Sequence, residues 1–372
     1  MKASFLGLAL VACASGSRPA GTPPDVGTLE PDASVTGDGP AACGEDDHQC
    51  GASCRDCTVC GGVCDKGECT PGVLADHVAP VEIAVDATRV YWQDVLGPDP
   101  EHVFSVAKTG GALTTLAADN FQNIGLTIDD NFVYWDHESS DSSGAVMRVP
   151  IAGGTASIVA ATLVPPAWLM RSGTTLVWEA YGLFAGPISG GSITMLDPVH
   201  RQIDSIATTA DRVFYATRSE TESAIRSVPL AGGPSSLVED CYAVGIDNCE
   251  VAIANDRICI GSNTNHTIET ASPPGAALET VANPQVSWYV TADATSCYWQ
   301  QQTITSSSTY DWDVMKVDVA TGQISRLATS RNGTGNELIE GGMAVDDHCV
   351  YYGARTFTGS ALTGGRLLAV QK

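Results

Sequence analysis

The chain has 372 residues with 43 acidic and 19 basic side chains, which gives a formal net charge of −24 at pH 7. A nucleic-acid-binding protein needs a basic surface for the phosphates, so the composition excludes this class. Hydrophobic residues make up 44% of the chain and charged residues only 17%, with 38 glycines, which supports a large core and favours short strands and turns over helices.

The N-terminus has the pattern of an export signal. Residues 1–12 contain one lysine followed by about ten small or apolar residues, a run too short to cross a bilayer as a helix. The run ends in Leu10-Val11-Ala12-Cys13, which resembles the bacterial lipobox. This resemblance implies that Cys13 is the site of lipid attachment and that the mature protein is anchored in the cell envelope. An ordinary export signal with Cys13 near its cleavage site is the alternative.

Two further features refine this location. Ala14 stands after the cysteine, where lipoproteins of the inner membrane often have aspartate, so the resemblance implies the outer membrane. Residues 13–42 are rich in Pro, Gly, Ser and Asp and contain no aromatic residue, which is typical of a disordered tether. The lipid would be the contact with the membrane, since anionic headgroups repel the acidic chain and no second apolar run is long enough to span a bilayer.

Residues 43–70 form a cysteine-rich segment. The spacing Cys-x2-Cys-x2-Cys inside it also occurs in zinc sites, which is the alternative interpretation. We predict disulfides because the chain is exported to an oxidising compartment, where disulfides form and persist. The cysteines of the segment are Cys43, Cys50, Cys54, Cys57, Cys60, Cys64 and Cys69.

The number of cysteines constrains their pairing. Excluding Cys13, seven cysteines lie in the cysteine-rich segment and five follow it. Both numbers are odd, so full oxidation requires at least one disulfide between the segment and the rest of the chain. Among the later cysteines, Cys241 and Cys249 are the favoured pair because only eight positions separate them in a loop-like stretch.

Residues 71–372 repeat one pattern seven times. Each unit contains four short apolar or alternating runs separated by turn residues, as in strands joined by hairpins. A large apolar anchor recurs at spacings of 37 to 53 residues, which matches four-stranded propeller blades. The sequence therefore predicts an all-β, seven-bladed β-propeller. The anchors are Trp92, Trp135, Trp178, Tyr215, Ile260, Trp299 and Tyr352.

Two turn signals recur at fixed places in the repeat. An aspartate six residues before the anchor stands at the start of a tight turn, where its side chain can cap backbone amides. A Gly-Gly pair between the third and fourth strands supplies the positive φ of a hairpin turn. We interpret the aspartates as turn formers and not as a functional set. They are Asp86, Asp129, Asp293 and Asp346, and the pairs begin at Gly110, Gly153, Gly190 and Gly232.

The seventh unit lacks its fourth strand. It stops at residues 366–370, whereas residues 71–75, before the first unit, read like the fourth strand at residues 113–117. A ring of blades avoids open sheet edges. We therefore predict that residues 71–75 complete the seventh blade and close the ring.

The repeats resemble those of known propellers. The runs at 91–94 (YWQD) and 134–136 (YWD) look like the YWTD-type blades of receptor propellers. The chain from residue 43 onward also resembles bacterial propeller lipoproteins of uncharacterised activity, whose cysteine-rich leader ends in a segment similar to residues 67–75. The resemblance implies the architecture and no activity, because propellers carry many unrelated functions.

The sequence favours a non-catalytic binding module over an enzyme. It contains no nucleophile elbow, no zinc-protease motif and no phosphate loop. The loops between second and third strands are long, variable and rich in acids, which predicts a face that binds a cationic protein or polymer, or Ca²⁺. The residues chosen for this face are Asp136, Glu138, Asp141, Asp311 and Asp313. No other cofactor is expected.

Three alternatives stay open. The same acids fit a solvated surface without a partner, and the whole protein fits a structural envelope protein without a specific ligand. The third alternative is an enzyme, since some seven-bladed propellers are lyases or lactonases with a metal at the channel mouth. Its candidate ligands would include His102, His137, His200 and His266.

Overall fold

The computed structural model describes residues 49–50, 55–65, 68–96, 101–119, 125–139, 141–198, 202–219, 223–241, 249–255, 257–262, 266–272, 274, 276–284, 286–306, 309–331, 337–358 and 361–372. These residues form antiparallel sheets and one short 3₁₀ turn. In this part of the chain, no helix has the length and apolar character needed to cross a bilayer.

Seven of the sheets have four strands each and are the blades of a β-propeller. Six elements precede blade 1 in the chain. They are β1 (Gln49–Cys50), β2 (Arg55–Asp56), the 3₁₀ turn (Cys57–Cys60), β3 (Val63–Asp65), β4 (Glu68–Thr70) and β5 (Gly72–Asp76). The strands of blades 1 to 3 are β6 (Pro80–Val85), β7 (Arg89–Asp94), β8 (Glu101–Ala107), β9 (Thr114–Asp119), β10 (Leu126–Ile128), β11 (Phe132–Glu138), β12 (Gly144–Pro150), β13 (Ser157–Thr162), β14 (Ala167–Ser172), β15 (Thr175–Glu179), β16 (Leu183–Pro187) and β17 (Thr194–Asp197).

The strands of blades 4 to 7 follow in the same order. They are β18 (Gln202–Thr208), β19 (Arg212–Arg218), β20 (Ser223–Pro229), β21 (Ser236–Asp240), β22 (Cys249–Ala254), β23 (Arg257–Ser262), β24 (Thr267–Ala271), β25 (Glu279–Ala282), β26 (Val286–Ala292), β27 (Ser296–Ser306), β28 (Thr309–Asp318), β29 (Ile324–Arg331), β30 (Glu337–Val345), β31 (Cys349–Thr358) and β32 (Ala361–Gln371).

The ring closes as the sequence predicts. The innermost strands β6, β10, β14, β18, β22, β26 and β30 contact one another in chain order, and β30 contacts β6. The outer strand of blade 7 is β5, which pairs antiparallel with β32. Leu74 on β5 is buried in the same apolar cluster as Leu367 and Trp92, so the closing strand joins blade 7 to blade 1 through side chains as well as through its ladder.

The antiparallel strands give the disc two different faces. The first-to-second and third-to-fourth connections lie on one face, here called the turn face (for example residues 86–88 and 108–113). The second-to-third and blade-to-blade connections lie on the opposite face, here called the loop face (for example residues 77–79 and 180–182). The anchors from Trp92 to Tyr352 are all buried in the blades, as predicted.

The turn aspartates have the structural role that the sequence indicates. Asp86 Oδ1 accepts hydrogen bonds from the backbone amides of Thr88 (2.6 Å) and Arg89 (2.7 Å). Its Oδ2 accepts a hydrogen bond of 2.7 Å from the Tyr91 hydroxyl, a partner that the sequence analysis did not foresee. The same aspartate–tyrosine bond recurs in blades 2, 6 and 7, so one carboxylate caps the turn and fixes the second strand.

The first glycine of each pair adopts the positive φ that its hairpin turn requires. Gly110 has φ of 76° and Gly153 has φ of 85°. Residues with a Cβ rarely adopt this conformation, which explains why glycine recurs at this place.

Disulfides tie the cysteine-rich segment to the propeller. Cys57 is bonded to Cys69 within the segment, and Cys64 is disulfide-bonded as well. Cys60 is bonded to Cys349, where β31 begins, which is the link between segment and body that the odd cysteine numbers require. This bond places the segment against the turn face of blade 7.

Two further disulfides lie within the blades. Cys241 is bonded to Cys249, the pair favoured by spacing, and it joins the end of blade 4 to the start of blade 5. Cys259 is bonded to Cys297 between blades 5 and 6, a pair that the sequence analysis did not assign.

Several predictions concern residues outside the described part of the chain. These are the signal at residues 1–12, lipid attachment at Cys13 and the tether at residues 13–42. The disulfides predicted for Cys43 and for Cys54, whose partners the sequence leaves open, also concern residues outside this part. Cys50 lies in β1, without a described side chain.

Candidate functional site: the central channel

One position of the innermost strand recurs in every blade, and in six of the seven blades its residue lines the central channel. In each blade, one residue of the innermost strand is opposite the anchor, and the position in question comes one residue earlier in the chain. In blade 1, Ile83 is opposite Trp92, so the position is Glu82. The residues at this position, from blade 1 to blade 7, are Glu82, Gly125, Trp168, Ser205, Glu250, Tyr289 and Gly342. We call these seven residues the channel layer. All except Gly125 line a central cavity of about 430 Å³.

Charge is distributed unevenly along the channel. Glu82, Asp204 and Glu250 line it, and each lies in the first half of its strand, toward the loop face. Arg171, which also lines the channel, lies near the end of β14 toward the turn face. Its guanidinium donates hydrogen bonds to the backbone carbonyls of Ile128 and Gly173. The channel is therefore acidic toward the loop face.

The two glutamates of the channel layer are held in an environment that disfavours their charge. Burial, followed by repulsion from Glu250, raises the pKa of Glu82 to about 8. Burial also raises the pKa of Glu250, to about 7. A hydrogen bond from the Val290 amide lowers this pKa, and the charge of Asp204 raises it. Near neutral pH these carboxyl groups are partly protonated, and a cation between them would favour the ionised forms.

Asp204 differs because it has a cationic partner. Burial raises its pKa, while Arg218 acts in the opposite direction. Arg218 Nε lies 3.1 Å from Asp204 Oδ2. Arg218 therefore compensates one channel carboxylate, whereas neither Glu82 nor Glu250 forms an ion pair among the described residues.

Two aromatic residues of the channel layer have an unusual backbone. Trp168 has φ of 52° and Tyr289 has φ of 51°, at points where the pairing register of β14 and β26 shifts. Bulky residues rarely adopt positive φ, and such strain is concentrated at functional sites. Glu250 Oε2 accepts a hydrogen bond of 2.8 Å from the Val290 amide, so a glutamate of blade 5 stabilises the irregular backbone of blade 6.

The channel layer thus combines carboxylates with aromatic side chains around one cavity. Ionised carboxylates attract cations, and the faces of Trp and Tyr attract them through the ring quadrupole. The arrangement is suited to holding an ammonium or guanidinium group.

The structure corrects the position of two predicted partner-binding residues. Asp136 is buried, with 1% of its surface exposed, and accepts a hydrogen bond of 2.8 Å from Gln93 Nε2. Asp313 is also buried, and Arg326 Nε lies 3.9 Å from its carboxylate. Both were assigned to loops, but β11 and β28 extend past them, so their side chains pack inside the blades. We do not retain either residue as part of an exposed face.

The other three predicted acids are more accessible. Glu138 is partly buried at the end of β11, and burial raises its pKa. Asp141 is exposed in the following loop, and hydrogen bonds from the Ser143 hydroxyl and amide lower its pKa. Asp311 is partly buried on β28. None of the three lines the central channel.

The described residues offer no obvious metal centre. Among them, no three His, Cys, Asp or Glu side chains converge closely enough to hold an ion. His102 stacks on Phe104 with ring centroids 5.1 Å apart, and His137 Nε2 lies 3.3 Å from Ser139 Oγ. His200 lies outside the described residues.

The channel layer was not predicted from the sequence, although the repeat contained its signal. Aligning the seven units on their anchors places Glu82 and Glu250 at one position, four residues before the turn position. Acids at that position line one cavity, where the charge of Glu250 acts on Glu82. The five acids predicted for the loops do not line this cavity.

Of the comparisons with known proteins, only the one with solved structures found similar proteins. No protein-family model matches the chain, and no curated protein matches its sequence. Similar solved structures include a prolyl endopeptidase (12% identity, TM-score 0.53, covering 79% of this chain and 50% of that chain). Another is a puromycin-hydrolysing peptidase of Mycobacterium tuberculosis (11% identity, TM-score 0.51, covering 74% of this chain and 50% of that chain).

A nidogen/laminin complex is also similar (14% identity, TM-score 0.47, covering 69% of this chain and 94% of that chain). This chain spans about half the length of the two peptidases. At 12% and 11% identity the likeness to the two peptidases shows the fold alone. The seven four-stranded sheets define the class of protein, a seven-bladed β-propeller.

Proposed function

We propose that this protein is an exported, lipid-anchored propeller that acts as a non-catalytic binding module and captures a cationic group of a protein or polymer at the acidic end of its channel. The observation that carries the proposal is the channel layer, in which Glu82 and Glu250 repel each other across a cavity that Trp168 and Tyr289 also line. A lysine or arginine side chain would relieve this repulsion and contact the aromatic faces.

The acidic end of the channel is on the face of the propeller opposite the cysteine-rich segment. The cysteine-rich segment is bonded to the turn face through Cys60 and Cys349, whereas the channel carboxylates lie toward the loop face. The hairpins of blades 6 and 7 border this end on one side, since β27, β28, β31 and β32 have 10 or 11 residues each and β15 and β16 only 5.

Titration of a cationic peptide tests the proposal. Pentalysine, added to the purified propeller at low salt in a calorimeter, should bind, and the affinity should rise as the pH rises from 6 to 8.5 because the channel carboxyls ionise over this range. Replacing Glu82 and Glu250 together with glutamine should weaken binding about tenfold or more, by removing two charge-assisted contacts.

Matched controls separate the channel from the rest of the acidic surface. Glu279→Gln changes one exposed acid on β25 and should leave binding unchanged. The combined amide variant of Glu138, Asp141 and Asp311 tests the loop acids. Weaker binding in the loop variant together with unchanged binding in the channel variant would contradict the proposal, as would no binding of pentalysine at low salt. A rise in melting temperature with Ca²⁺ alone would indicate a divalent-ion site instead.

Lipid attachment is tested separately. Labelled palmitate should enter the wild-type protein and not Cys13→Ser, and the variant should move from the membrane to the soluble fraction. Equal labelling of both proteins would show that Cys13 is not the lipid site. Fractionation of inner and outer membranes then tests the outer-membrane location.

A further inference from the structure

A second cavity lies between the outer parts of blades 2 and 3, away from the channel. Its volume is about 350 Å³, within the range of small-molecule sites, and its surface is mostly apolar. Leu163, Tyr181 and Ile193 line it although 95%, 75% and 40% of their surfaces are exposed. We call it the blade 2–3 pocket. Apolar side chains gathered around a cavity in this way mark an interaction site more often than scattered surface residues do.

One wall of the pocket is the anchor of blade 3, Trp178, which is 1% exposed. Among the described residues its Nε1 has no hydrogen-bond acceptor. Thr162 also lines the pocket, and its Oγ1 likewise lacks a partner among the described residues. A buried polar group without a partner is costly and calls for an explanation.

Two other blades show where an anchor indole finds its acceptor. In blade 1 the Nε1 of Trp92 donates a hydrogen bond of 2.9 Å to Asp94, two residues later. In blade 6 Trp299 makes a longer bond of 3.4 Å to Gln301, again two residues later. The equivalent residue of blade 3 is Ala180, which has no acceptor and itself lines the pocket. The pocket therefore extends to the position at which blades 1 and 6 have the acceptor.

We propose that the blade 2–3 pocket binds a small neutral molecule with an apolar chain or ring and a carbonyl oxygen that accepts the hydrogen bond of Trp178. The apolar part packs against Phe184, Ile193 and Leu163, and the carbonyl takes the place of the carboxylate that Asp94 supplies in blade 1. None of the described residues that line the pocket is charged, so the site has no partner for an ionic ligand.

A pair of probes tests the proposal. Butyrophenone has an aromatic ring, a short chain and a carbonyl, whereas butylbenzene has the same outline without the carbonyl. Ligand-detected NMR or calorimetry on the intact protein should show butyrophenone binding about five times more tightly, as expected for one buried hydrogen bond. Trp178→Phe should remove this preference while retaining weak binding of both probes.

A second variant keeps the test independent of the anchor. Ala180→Asp supplies the acceptor found in blade 1, so it should abolish binding of butyrophenone without lowering the melting temperature. Ala320→Asp, at an exposed turn of blade 6, is the matched control and should bind as the wild type does. The proposal is overturned if neither probe binds, if the preference survives in Trp178→Phe, or if Ala180→Asp binds both probes like the wild type.

Discussion

Cys60 and Cys349 are joined by a disulfide across 289 positions of sequence, with their Cα atoms 5.9 Å apart. The bond connects the first described turn of the chain to the last blade, and Cys60 packs in the same apolar cluster as Leu74 and Trp92. The cysteine-rich segment is thus part of the closure of the ring.

We predict that this bond stabilises the protein more than the bond between Cys241 and Cys249, which spans only 8 positions. A disulfide that closes a longer loop removes more entropy from the unfolded chain. The double variant Cys60→Ser with Cys349→Ser should lose about 4–5 kcal/mol, and Cys241→Ser with Cys249→Ser about 2 kcal/mol. Denaturant unfolding measures both, and an equal loss would contradict the entropic explanation.

The closing strand provides a second prediction, with a control one residue away. Leu74 is 5% exposed and Val73, on the other side of β5, is 48% exposed. Leu74→Ala should cost about 2–4 kcal/mol because it leaves a cavity between blades 7 and 1. Val73→Ala should cost less than about 1 kcal/mol. Similar melting temperatures for the two variants would show that β5 does not close the ring in solution.

Much of the fold was predictable because its signals are local and repeated. The anchors from Trp92 to Tyr352 and the caps such as Asp86 recur with the blade, and the spare strand at residues 71–75 follows from a count of strands. Strand length is less visible in sequence, so Asp136 and Asp313 were assigned to loops although the strands extend past them. The meeting of Glu82 with Glu250 was also missed, because it depends on blades 1 and 5 being brought together by ring closure.

The turn aspartates give a third prediction, again with an adjacent control. Asp346 accepts hydrogen bonds from Lys108 Nζ (2.5 Å) in blade 1 and from the Tyr351 hydroxyl (2.8 Å). Burial would raise its pKa, but the bonds from Lys108 and from backbone amides lower it to about 2. Asp347 is exposed beside it. Asp346→Asn should cost about 1–2 kcal/mol at pH 7, and Asp347→Asn less than about 0.5 kcal/mol.

The pH dependence of this difference is a check on its cause. The folded-state pKa of Asp346 is below its ordinary value of 3.8, so its contribution is present above that value and is lost as the pH falls toward about 2. The difference in the free energy of unfolding between the wild type and Asp346→Asn, measured by chemical denaturation, should therefore decrease as the pH falls from 4 to 2. A difference that stays constant would indicate lost packing and not lost ionic bonding.

The last prediction concerns Glu82, whose pKa is shifted in the opposite direction, from 4.5 to about 8. Between these values the folded protein holds a proton that the unfolded chain has released, so the free energy of unfolding falls as the pH rises from about 4.5 to 8. Glu82→Gln removes the carboxyl group and should flatten this decline. At pH 8 the variant should be more stable than the wild type by about 2 kcal/mol. This is less than the whole pKa shift would give, because the channel is open to water. At pH 4.5 the variant should be no more stable than the wild type. Glu279→Gln, on an exposed strand, is the matched control and should leave the pH profile unchanged. Chemical denaturation at pH 4.5, 6 and 8 measures the difference, and equal slopes for the wild type and Glu82→Gln would show that the Glu82 carboxyl is solvated in the folded protein and exerts no repulsion on Glu250.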